Sequence, residues 1–564
     1  MLRTGSQIVW DVLGQEGVGC VFGYPGGAIL PIYDALLGSS IHHVLVRHEQ
    51  GAAHMADGYA RASGEVGVAM ATSGPGATNL VTGIATAMLD SSSVVFITGQ
   101  VSSRVIGTDA FQETDITGVT LPITKHNFLV TRTEDVGPTL RKAFHIARTG
   151  RPGPVLVDIT KDAQQGTHDY EPDEAPVELP ERSPRDTLTR DALDEAAGLL
   201  SSAKRPLILA GRGVMLGGAT ELLQDFVERT RIPVAMTLLG IGGFPATHAL
   251  NLGMMGMHGE AWVNRAIQTA DVLLAIGMRF DDRVTGDPTK FAPAAKKIHL
   301  EIDRSEINKV IRVDVPLVGD LRETLSQLAP RVGTTDLSPW HRFIEDLKGD
   351  TAVRDIQTLP DSGHLYAAHV ISDLWNLTEG RALVVTDVGQ HQMWEAQYYK
   401  HDYPRKLITS GGLGTMGFAL PAALGAKFAK PEEEVWVIVG DGGFQMTAAE
   451  LSTCVQENMK LNVAVINNGY LGMVRQWQEF FYDKRYAATP MSNPDFVKLA
   501  DAHGLPGFRV EKRSEIAEAV SRARASRETA VIDFRVEKED TVYPMVAPGK
   551  TIEDMIRRPV PVLE

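Results

Sequence analysis

The chain has 564 residues, of which 43% are hydrophobic and 22% charged, and a formal net charge of -15 at pH 7. One hydrophobic core rarely serves more than about 250–300 residues, so we expect several domains. The acidic balance argues against a nucleic-acid or anionic-membrane partner, because either would need a cationic surface. The first residues lack the apolar core of a signal peptide, and no apolar run approaches a membrane span, so we expect a cytoplasmic protein.

Short β-branched runs alternate with helical patterns in the first part of the chain. Strands are predicted at residues 44–46, 66–71, 94–98 and 154–159, and helices at 49–62 and 77–89. This alternation, with short glycine-containing connections, indicates a mainly parallel sheet with helices on both faces. We predict a first domain over residues 1–165 and a polar, proline-containing linker at 166–188.

Two more blocks repeat this pattern, which predicts an α/β fold of three consecutive domains, each with a mainly parallel sheet flanked by helices. The second domain covers residues 189–335, with strands at 206–210, 234–237, 272–276 and 297–302. A polar linker is predicted at 336–362. The third domain covers 363–540, with strands at 382–386, 435–439, 463–467 and 530–535. The proline-rich tail, 541–564, is expected to lie extended over the surface.

The strongest chemical signal lies where two strands of the third domain end. One is followed by Gly440-Asp441-Gly442-Gly443, with a helix predicted to begin near Ala448, and the next by Asn467-Asn468-Gly469-Tyr470. Each motif alone is most often an ordinary turn. Together they bring a carboxylate and an amide to one sheet edge, where ligands bind in open α/β sheets. With the Tyr470 carbonyl, these oxygen atoms suit Mg2+ bound to a diphosphate.

Gly-Asp-Gly followed about two dozen residues later by Asn-Asn resembles the signature of thiamine diphosphate enzymes. Further segments make the whole chain resemble the catalytic large subunits of the acetohydroxyacid synthase family. These segments are Phe22-Gly23-Tyr24-Pro25-Gly26-Gly27, Arg47-His48-Glu49-Gln50-Gly51, Ser73-Gly74-Pro75-Gly76-Ala77-Thr78-Asn79, Gly107-Thr108-Asp109-Ala110-Phe111-Gln112-Glu113, Gly150-Arg151-Pro152-Gly153-Pro154, Gly411-Gly412-Leu413-Gly414-Thr415-Met416-Gly417 and Gly472-Met473-Val474-Arg475-Gln476-Trp477.

The resemblance implies a thiamine diphosphate site with two central residues. Glu49 would hydrogen-bond N1′ of the aminopyrimidine, although by itself it is a typical first-turn helix carboxylate. Met416 would wedge beneath the cofactor, although such a methionine is more often core packing. The other implied cofactor contacts are Gln390, His391, Gly414, Asp441, Gly442, Gly443, Asn468, Tyr470 and Met473. The implied Mg2+ ligands are Asp441, Asn468 and Tyr470.

The middle domain resembles that of the FAD-containing members, in which FAD is structural and does no redox work. The implied FAD contacts are Arg151, Thr237, Leu238, His258, Gly277, Arg279, Glu301 and Asp320. Arg283 would receive the carboxylate of the second substrate, with a surface ion pair to Asp281 or Asp282 as the alternative. Gln112 and Lys161 complete the implied catalytic set. The implied specificity residues are Phe111, Met257 and Trp477.

The implied reaction decarboxylates pyruvate and ligates the hydroxyethyl carbanion to a second 2-keto acid. A second pyruvate gives 2-acetolactate and 2-ketobutyrate gives 2-aceto-2-hydroxybutyrate, the first common step of valine, leucine and isoleucine biosynthesis. The family implies a homodimer or tetramer, in which Glu49 of one subunit faces the diphosphate site of another, and a small regulatory subunit. The alternatives are another carboligase or a pyruvate oxidase of the same family and, from a different class, a non-catalytic scaffold subunit.

Overall fold

The computed structural model describes residues 1–172, 177, 188–352 and 363–559. Across these residues, three six-stranded parallel sheets follow one another along the chain, each flanked by helices. The predicted fold class is therefore confirmed. The central strands are buried on both faces, which is why they appear in the sequence as continuous apolar runs.

The N-terminal domain contains a six-stranded parallel sheet and a small two-stranded one. Its strands are β1 (Leu2–Thr4), β2 (Cys20–Gly23), β3 (His42–Leu45), β4 (Gly67–Ala71), β5 (Val94–Gln100), β6 (His126–Val130), β7 (Val155–Thr160) and β8 (Thr167–Asp169). Its helices are α1 (Gly5–Gln15), α2 (Leu30–Ala35), α3 (Glu49–Ser63), α4 (Pro75–Asn79), α5 (Val81–Leu89), α6 (Ile116–Thr120), α7 (Val136–Arg148) and α8 (Lys161–Gln165). The large sheet has the order β3-β2-β4-β5-β7-β6, and β1 pairs antiparallel with β8. The helix predicted at 77–89 is two helices, α4 and α5, which meet at Leu80.

The central domain has a second six-stranded parallel sheet, in the order β11-β10-β9-β12-β13-β14. Its strands are β9 (Pro206–Ala210), β10 (Val234–Met236), β11 (Asn251–Met254), β12 (Val272–Ile276), β13 (Lys296–Glu301) and β14 (Val315–Val318). Its helices are α9 (Arg190–Ser202), α10 (Gly213–Leu216), α11 (Thr220–Thr230), α12 (Ala261–Thr269), α13 (Asp282–Thr285), α14 (Leu321–Leu328) and α15 (Ser338–Ala352).

Helix α15 corrects the linker predicted at 336–362. Trp340 and Ile344, one turn apart, are each 2% exposed, and the Trp340 indole N–H donates to the Pro206 carbonyl at 3.0 Å. The polar composition of this segment hides an apolar face that packs on the central domain. Residues 353–362 of that linker, and 173–176 and 178–187 of the one predicted at 166–188, lie outside the described residues.

The C-terminal domain has the third sheet, in the order β16-β15-β17-β18-β20-β19. Its strands are β15 (Leu383–Thr386), β16 (Leu407–Thr409), β17 (Val435–Gly440), β18 (Asn462–Asn467), β19 (Gly507–Val510) and β20 (Ala530–Arg535), followed by the hairpin strands β21 (Met545–Val546) and β22 (Met555–Ile556). Its helices are α16 (Ala367–Leu377), α17 (Gln390–Tyr398), α18 (Ala419–Ala429), α19 (Asp441–Thr447), α20 (Leu451–Gln456), α21 (Gly472–Phe481), α22 (Phe496–Ala502) and α23 (Ile516–Ala525).

Two expectations for this domain are wrong. A helix begins at Asp441 itself and not near Ala448. Glycine is unfavourable inside a helix. Close packing nevertheless requires it here, because a Cβ on Gly443 would lie 2.3 Å from the Asp387 carboxylate. The tail is also not simply extended over the surface. Met545 is fully buried, and the Val546 N–H donates to the Met257 carbonyl at 2.9 Å, so the hairpin docks on the central domain. Residues 560–564 lie outside the described part.

No helix in the described ranges is long and apolar enough to cross a membrane.

Candidate active site

Strands β17 and β18 are parallel neighbours, and both end at the same sheet edge. Asp441 follows β17 and is 2% exposed. Its Oδ2 accepts hydrogen bonds from the Gly469 N–H at 2.9 Å and from Asn493 Nδ2 at 2.6 Å. Burial raises the pKa of Asp441 to about 6. A desolvated carboxylate of this kind gains strongly from a bound cation.

Asn468 lies beside this carboxylate at the end of β18. Its Oδ1 accepts from the Tyr470 N–H at 3.1 Å, and its Nδ2 donates to Gln390 Oε1 at 3.3 Å. No cluster of three or more His, Cys, Asp and Glu side chains that could hold a metal occurs among the described residues. The edge therefore offers one carboxylate with neutral oxygen atoms, which fits Mg2+ when a diphosphate supplies further ligands.

Helix α17 brings two more predicted cofactor residues to this edge. Gln390 Nε2 donates to Gln476 Oε1 at 2.9 Å and to the Asp540 carbonyl at 3.1 Å. His391 Nε2 accepts from the Gly440 N–H at 3.2 Å, and burial lowers the pKa of His391 to about 3. His391 is therefore neutral and fixes the turn that presents Asp441.

Met416 is carried by the glycine-rich loop at residues 410–416. Its terminal methyl lies 3.5 Å from the position that a Cβ on Gly442 would occupy, so the methionine packs against the Asp441 turn. After the loop, the buried carboxylate of Asp387 accepts from the N–H groups of Gly417 and Ala419, each at 3.0 Å. The sequence prediction missed Asp387. Its signal, an acid directly after a buried strand, is the same one that identified Asp441.

A cavity of about 990 Å³ extends from this loop into the central domain. All eight residues predicted to contact FAD line it, namely Arg151, Thr237, Leu238, His258, Gly277, Arg279, Glu301 and Asp320. The lining also includes Gly414, Met416, Met473, Met257, Arg283 and Trp477. The cavity is large enough for a dinucleotide, and it joins the predicted FAD and substrate regions to the Met416 loop.

The polar groups of the cavity suit a nucleotide cofactor. Glu301 ends β13, where its Oε1 accepts from the Ile302 and Asp303 N–H groups, and burial raises the pKa of Glu301 to about 7. An acid at the end of a parallel strand is placed as a hydroxyl acceptor for ribose or ribityl groups. His258 Nδ1 lies 3.1 Å from the Pro544 carbonyl, and burial lowers the pKa of His258 to about 4. These residues fit FAD.

Arg283 lies at the mouth of the cavity. Its Nη1 is 3.3 Å from Met257 Sδ and 3.9 Å from the Asp282 carboxylate, and its side chain is 58% exposed. The surface ion pair considered as an alternative is thus present, but a guanidinium has five N–H donors and can also bind a carboxylate. The Trp477 ring packs edge-on against Phe481.

The other predicted residues do not line this cavity. Glu49 is the first residue of α3, and its Oε2 accepts from Asn79 Nδ2 at 2.9 Å. Gln112 has a left-handed φ of +61°, and Lys161 begins α8. Phe111 is 89% exposed. Asp441 does not line the cavity either, but the Asp441 turn packs against Met416, which does. The N-terminal residues around Glu49 contribute nothing to the cavity lining of their own chain.

The turn before Glu49 is held by Glu450, a residue of the C-terminal domain that the sequence prediction missed. Glu450 is 1% exposed, and its Oε1 accepts from the N–H groups of Arg47 at 3.0 Å and His48 at 3.2 Å. A Cβ on Gly51 would lie 2.3 Å from the same oxygen, so this contact requires glycine there. No local signal could have identified Glu450, because its partners are about 400 residues away.

Comparisons with known proteins match this architecture over nearly the whole chain. Residues 3–119, 193–328 and 387–534 match the thiamine pyrophosphate enzyme N-terminal TPP binding, central and C-terminal TPP binding domains. The acetolactate synthase large subunit of Mycobacterium tuberculosis is 49% identical over 98% of this chain and 91% of its own length. That of Corynebacterium glutamicum is 48% identical over 98% and 90%. The isozyme 3 large subunit of Escherichia coli is 45% identical over 98% of both chains. This chain therefore belongs to the acetolactate synthase large-subunit family of thiamine pyrophosphate enzymes.

Proposed function

We propose that this chain decarboxylates pyruvate and joins the remaining two-carbon unit to a second 2-keto acid. A second pyruvate gives 2-acetolactate, and 2-ketobutyrate gives 2-aceto-2-hydroxybutyrate, the first common step toward valine, leucine and isoleucine. The observation that carries the proposal is the single cavity in which Arg283 and Trp477 share a lining with Met416. It supports a cofactor region and an acceptor region that are open to each other.

The cofactor would be held at the sheet edge. Asp441, the Asn468 side chain and the Tyr470 carbonyl would hold Mg2+ and, through it, the diphosphate. Thiamine diphosphate, when bound, supplies a thiazolium carbon that adds to a 2-keto acid and takes up the electron pair left when carbon dioxide departs. Met416 would support the bent cofactor, and Glu49 would hold a proton at the pyrimidine N1′. Gln112 and Lys161 would line the path of the substrate.

Arg283 and its neighbours would select the acceptor. The guanidinium would bind the carboxylate of the second keto acid with two parallel hydrogen bonds. Met257, in contact with Arg283, would limit the space around that acid, and Trp477 would pack on the longer side chain of 2-ketobutyrate. Phe111, which is exposed and does not line the cavity of its own chain, would close the pocket of a second copy of the chain. FAD would fill the remaining cavity as a structural cofactor.

The absence of Glu49, Gln112 and Lys161 from the cavity lining of their own chain supports an active site shared between two copies of the chain. A homodimer, or a tetramer built from dimers, would bring the N-terminal group of one subunit to the Asp441 edge of the other. The large-subunit names of the relatives support a small regulatory subunit as a further partner. We place the protein in the cytoplasm, in keeping with its acidic composition and its two buried free thiols, Cys20 and Cys454.

Product analysis tests this function. The purified protein, supplied with thiamine diphosphate, Mg2+ and FAD, is incubated with 13C-labelled pyruvate, and products are followed by NMR. We expect one carbon dioxide per two pyruvates consumed and 2-acetolactate as the product, with 2-aceto-2-hydroxybutyrate added when 2-ketobutyrate is present. Acetyl phosphate and hydrogen peroxide would identify an oxidase, and a failure to bind thiamine diphosphate and Mg2+ would indicate a scaffold.

A further inference from the structure

The loop that carries Met416 is held at both ends by one helix of the N-terminal domain. Asp90, which caps the C-terminus of α5, accepts through Oδ1 from the Gly412 N–H at 2.6 Å and through Oδ2 from the Gly411 N–H at 3.2 Å. One turn earlier on α5, the Thr86 hydroxyl lies 2.7 Å from that of Thr415. The loop thus cannot shift at either end without breaking a contact between domains.

These contacts are part of a buried ionic cluster. Asp90 is 1% exposed, and its Oδ2 also accepts from Arg61 Nη2 at 2.9 Å. Arg61 donates as well to both carboxylate oxygens of Asp57, each at 2.7 Å, and to the Thr409 carbonyl at 2.7 Å. Arg212, from the central domain, donates to the Asp90 carbonyl. Asp90 is therefore a point at which all three domains meet.

Asp57 shows what a purely structural carboxylate does in this cluster. It accepts hydrogen bonds from two nitrogen atoms of Arg61 in a fork geometry, and this pairing compensates the buried positive charge of Arg61. Asp90 shares Arg61 but also binds the loop. The fit at the loop is close, because a Cβ on Gly412 would lie 2.8 Å from Asp90 Oδ1. Gly412 thus leaves room for a carboxylate from another domain, and Gly411 contributes a second N–H donor to it.

We propose that Asp90, together with Thr86, is a positioning residue for the reaction, acting on the cofactor through Met416. A methionine side chain is flexible. It can hold a cofactor in a single conformation only if the backbone of the methionine is itself fixed. Asp90 and Thr86 fix that backbone before the cofactor binds, which spares binding the cost of ordering the loop. This inference deepens the proposed function and rests on it for the role of Met416.

The test compares the same substitution at the two carboxylates. Asp90→Asn places an amide against donors of the loop and of Arg61, whereas Asp57→Asn disturbs Arg61 and Ser92 but no donor of the loop. Thiamine diphosphate binding in the presence of Mg2+ and FAD is measured by calorimetry without substrate. We expect Asp90→Asn to raise the Kd about tenfold, the effect of replacing one or two charge-assisted hydrogen bonds by neutral ones. For Asp57→Asn we expect a Kd within about twofold of the wild type, although both variants lose thermal stability.

Turnover gives an independent readout. In Asp90→Asn, kcat should fall while the KM for pyruvate changes less than about twofold, because the loop does not bind the keto acid carboxylate. Equal changes in Kd for the two variants, or an unchanged Kd in Asp90→Asn, would overturn the inference. The binding measurement needs no product, so a wild-type protein that binds the cofactor but makes no 2-acetolactate would contradict the proposed function alone.

Thr86 provides a second test that does not depend on the folding of Asp90→Asn. Thr86→Val keeps the shape of the side chain but removes the hydroxyl, and Thr86→Ser keeps the hydroxyl. We expect the valine variant to weaken cofactor binding by about threefold to tenfold and the serine variant to restore it, because a neutral hydrogen bond contributes about 1 kcal/mol. Weakening in both variants, or in neither, would contradict the inference.

Discussion

Glu450→Gln changes one buried contact between the C-terminal domain and the turn that carries Glu49. The carboxylate accepts from two backbone N–H groups, at 3.0 and 3.2 Å, and from the Thr453 hydroxyl at 2.6 Å. A glutamine can keep its oxygen on the two N–H groups and turn its amide toward the hydroxyl, so the geometry survives while the charge is lost. Charge-assisted bonds exceed neutral ones by about 0.5–1 kcal/mol each, so two bonds lose about 1–2 kcal/mol.

This loss should appear in activity and not in stability. If the whole of this ~1–2 kcal/mol is lost from the interactions that hold Glu49 in its reactive position, kcat/KM falls roughly fivefold to thirtyfold. Burial raises the pKa of Glu450, which means that the charged form is costly to bury, so the neutral glutamine should leave the melting temperature unchanged or raise it.

Steady-state formation of 2-acetolactate and a thermal melt measure the two effects. Thr453→Val is the matched control, since it removes one hydrogen bond to Glu450 but none from the Glu49 turn. Gly51→Ala should reproduce the activity loss, because its Cβ would lie 2.3 Å from the Glu450 oxygen. Wild-type kcat/KM in Glu450→Gln, or an activity loss that follows the melting temperature in every variant, would refute the reasoning.

Three further predictions concern the proposed chemistry and one buried acid. Glu49→Gln should lower kcat by about 100-fold or more, the usual contribution of a proton-transfer group; full turnover at saturating cofactor would rule out that role. Trp477→Leu should reduce the preference for 2-ketobutyrate about tenfold while 2-acetolactate formation survives, and an unchanged product ratio in competition would count against it. Burial raises the pKa of Asp158 from 3.8 to about 7, so its stabilising contribution is complete below pH 3.8 and is lost as pH rises through 7. In the Asp158→Asn variant, the free energy of unfolding should therefore fall less between pH 5 and 8 than in the wild type. Denaturant titrations at several pH values measure this, and the same pH dependence in the variant and the wild type would contradict the prediction.

The sequence predicted four strands of each six-stranded sheet, because most of these are buried on both faces and carry continuous apolar runs. It missed β2, β6, β11, β14, β16 and β19. The prediction was least accurate in segments of mostly polar composition that nevertheless have one buried apolar face. Trp340 belongs to such a helix, and Met545 to a hairpin within a segment whose prolines indicated only extended chain. Helix α19 was placed too late because propensity rules disfavour Gly442 and Gly443 in a helix, whereas close packing around Asp387 requires them.

The site was predictable where a motif is contiguous and hidden where it depends on distant parts of the chain. Asp441 and Asn468 follow strands that are neighbours in the sheet, so local patterns place both at one edge. Glu450 and Asp90 act on backbone N–H groups about 320 to 400 residues away, and no local pattern encodes such a partner. Their carboxylates become recognisable only once the domains are packed together.

A pair of mixed dimers tests most directly the central claim that acetolactate synthesis takes place at a site shared by two chains. Two differently tagged subunits are co-expressed and the heterodimer is purified through both tags. In the trans heterodimer one chain carries Glu49→Gln and the other Asp441→Ala; in the cis heterodimer one chain carries both substitutions and the other none. A shared site leaves one intact site in the trans heterodimer and none in the cis heterodimer, so we predict about half of the wild-type 2-acetolactate rate for trans and almost none for cis. The reverse order of activities would contradict the account.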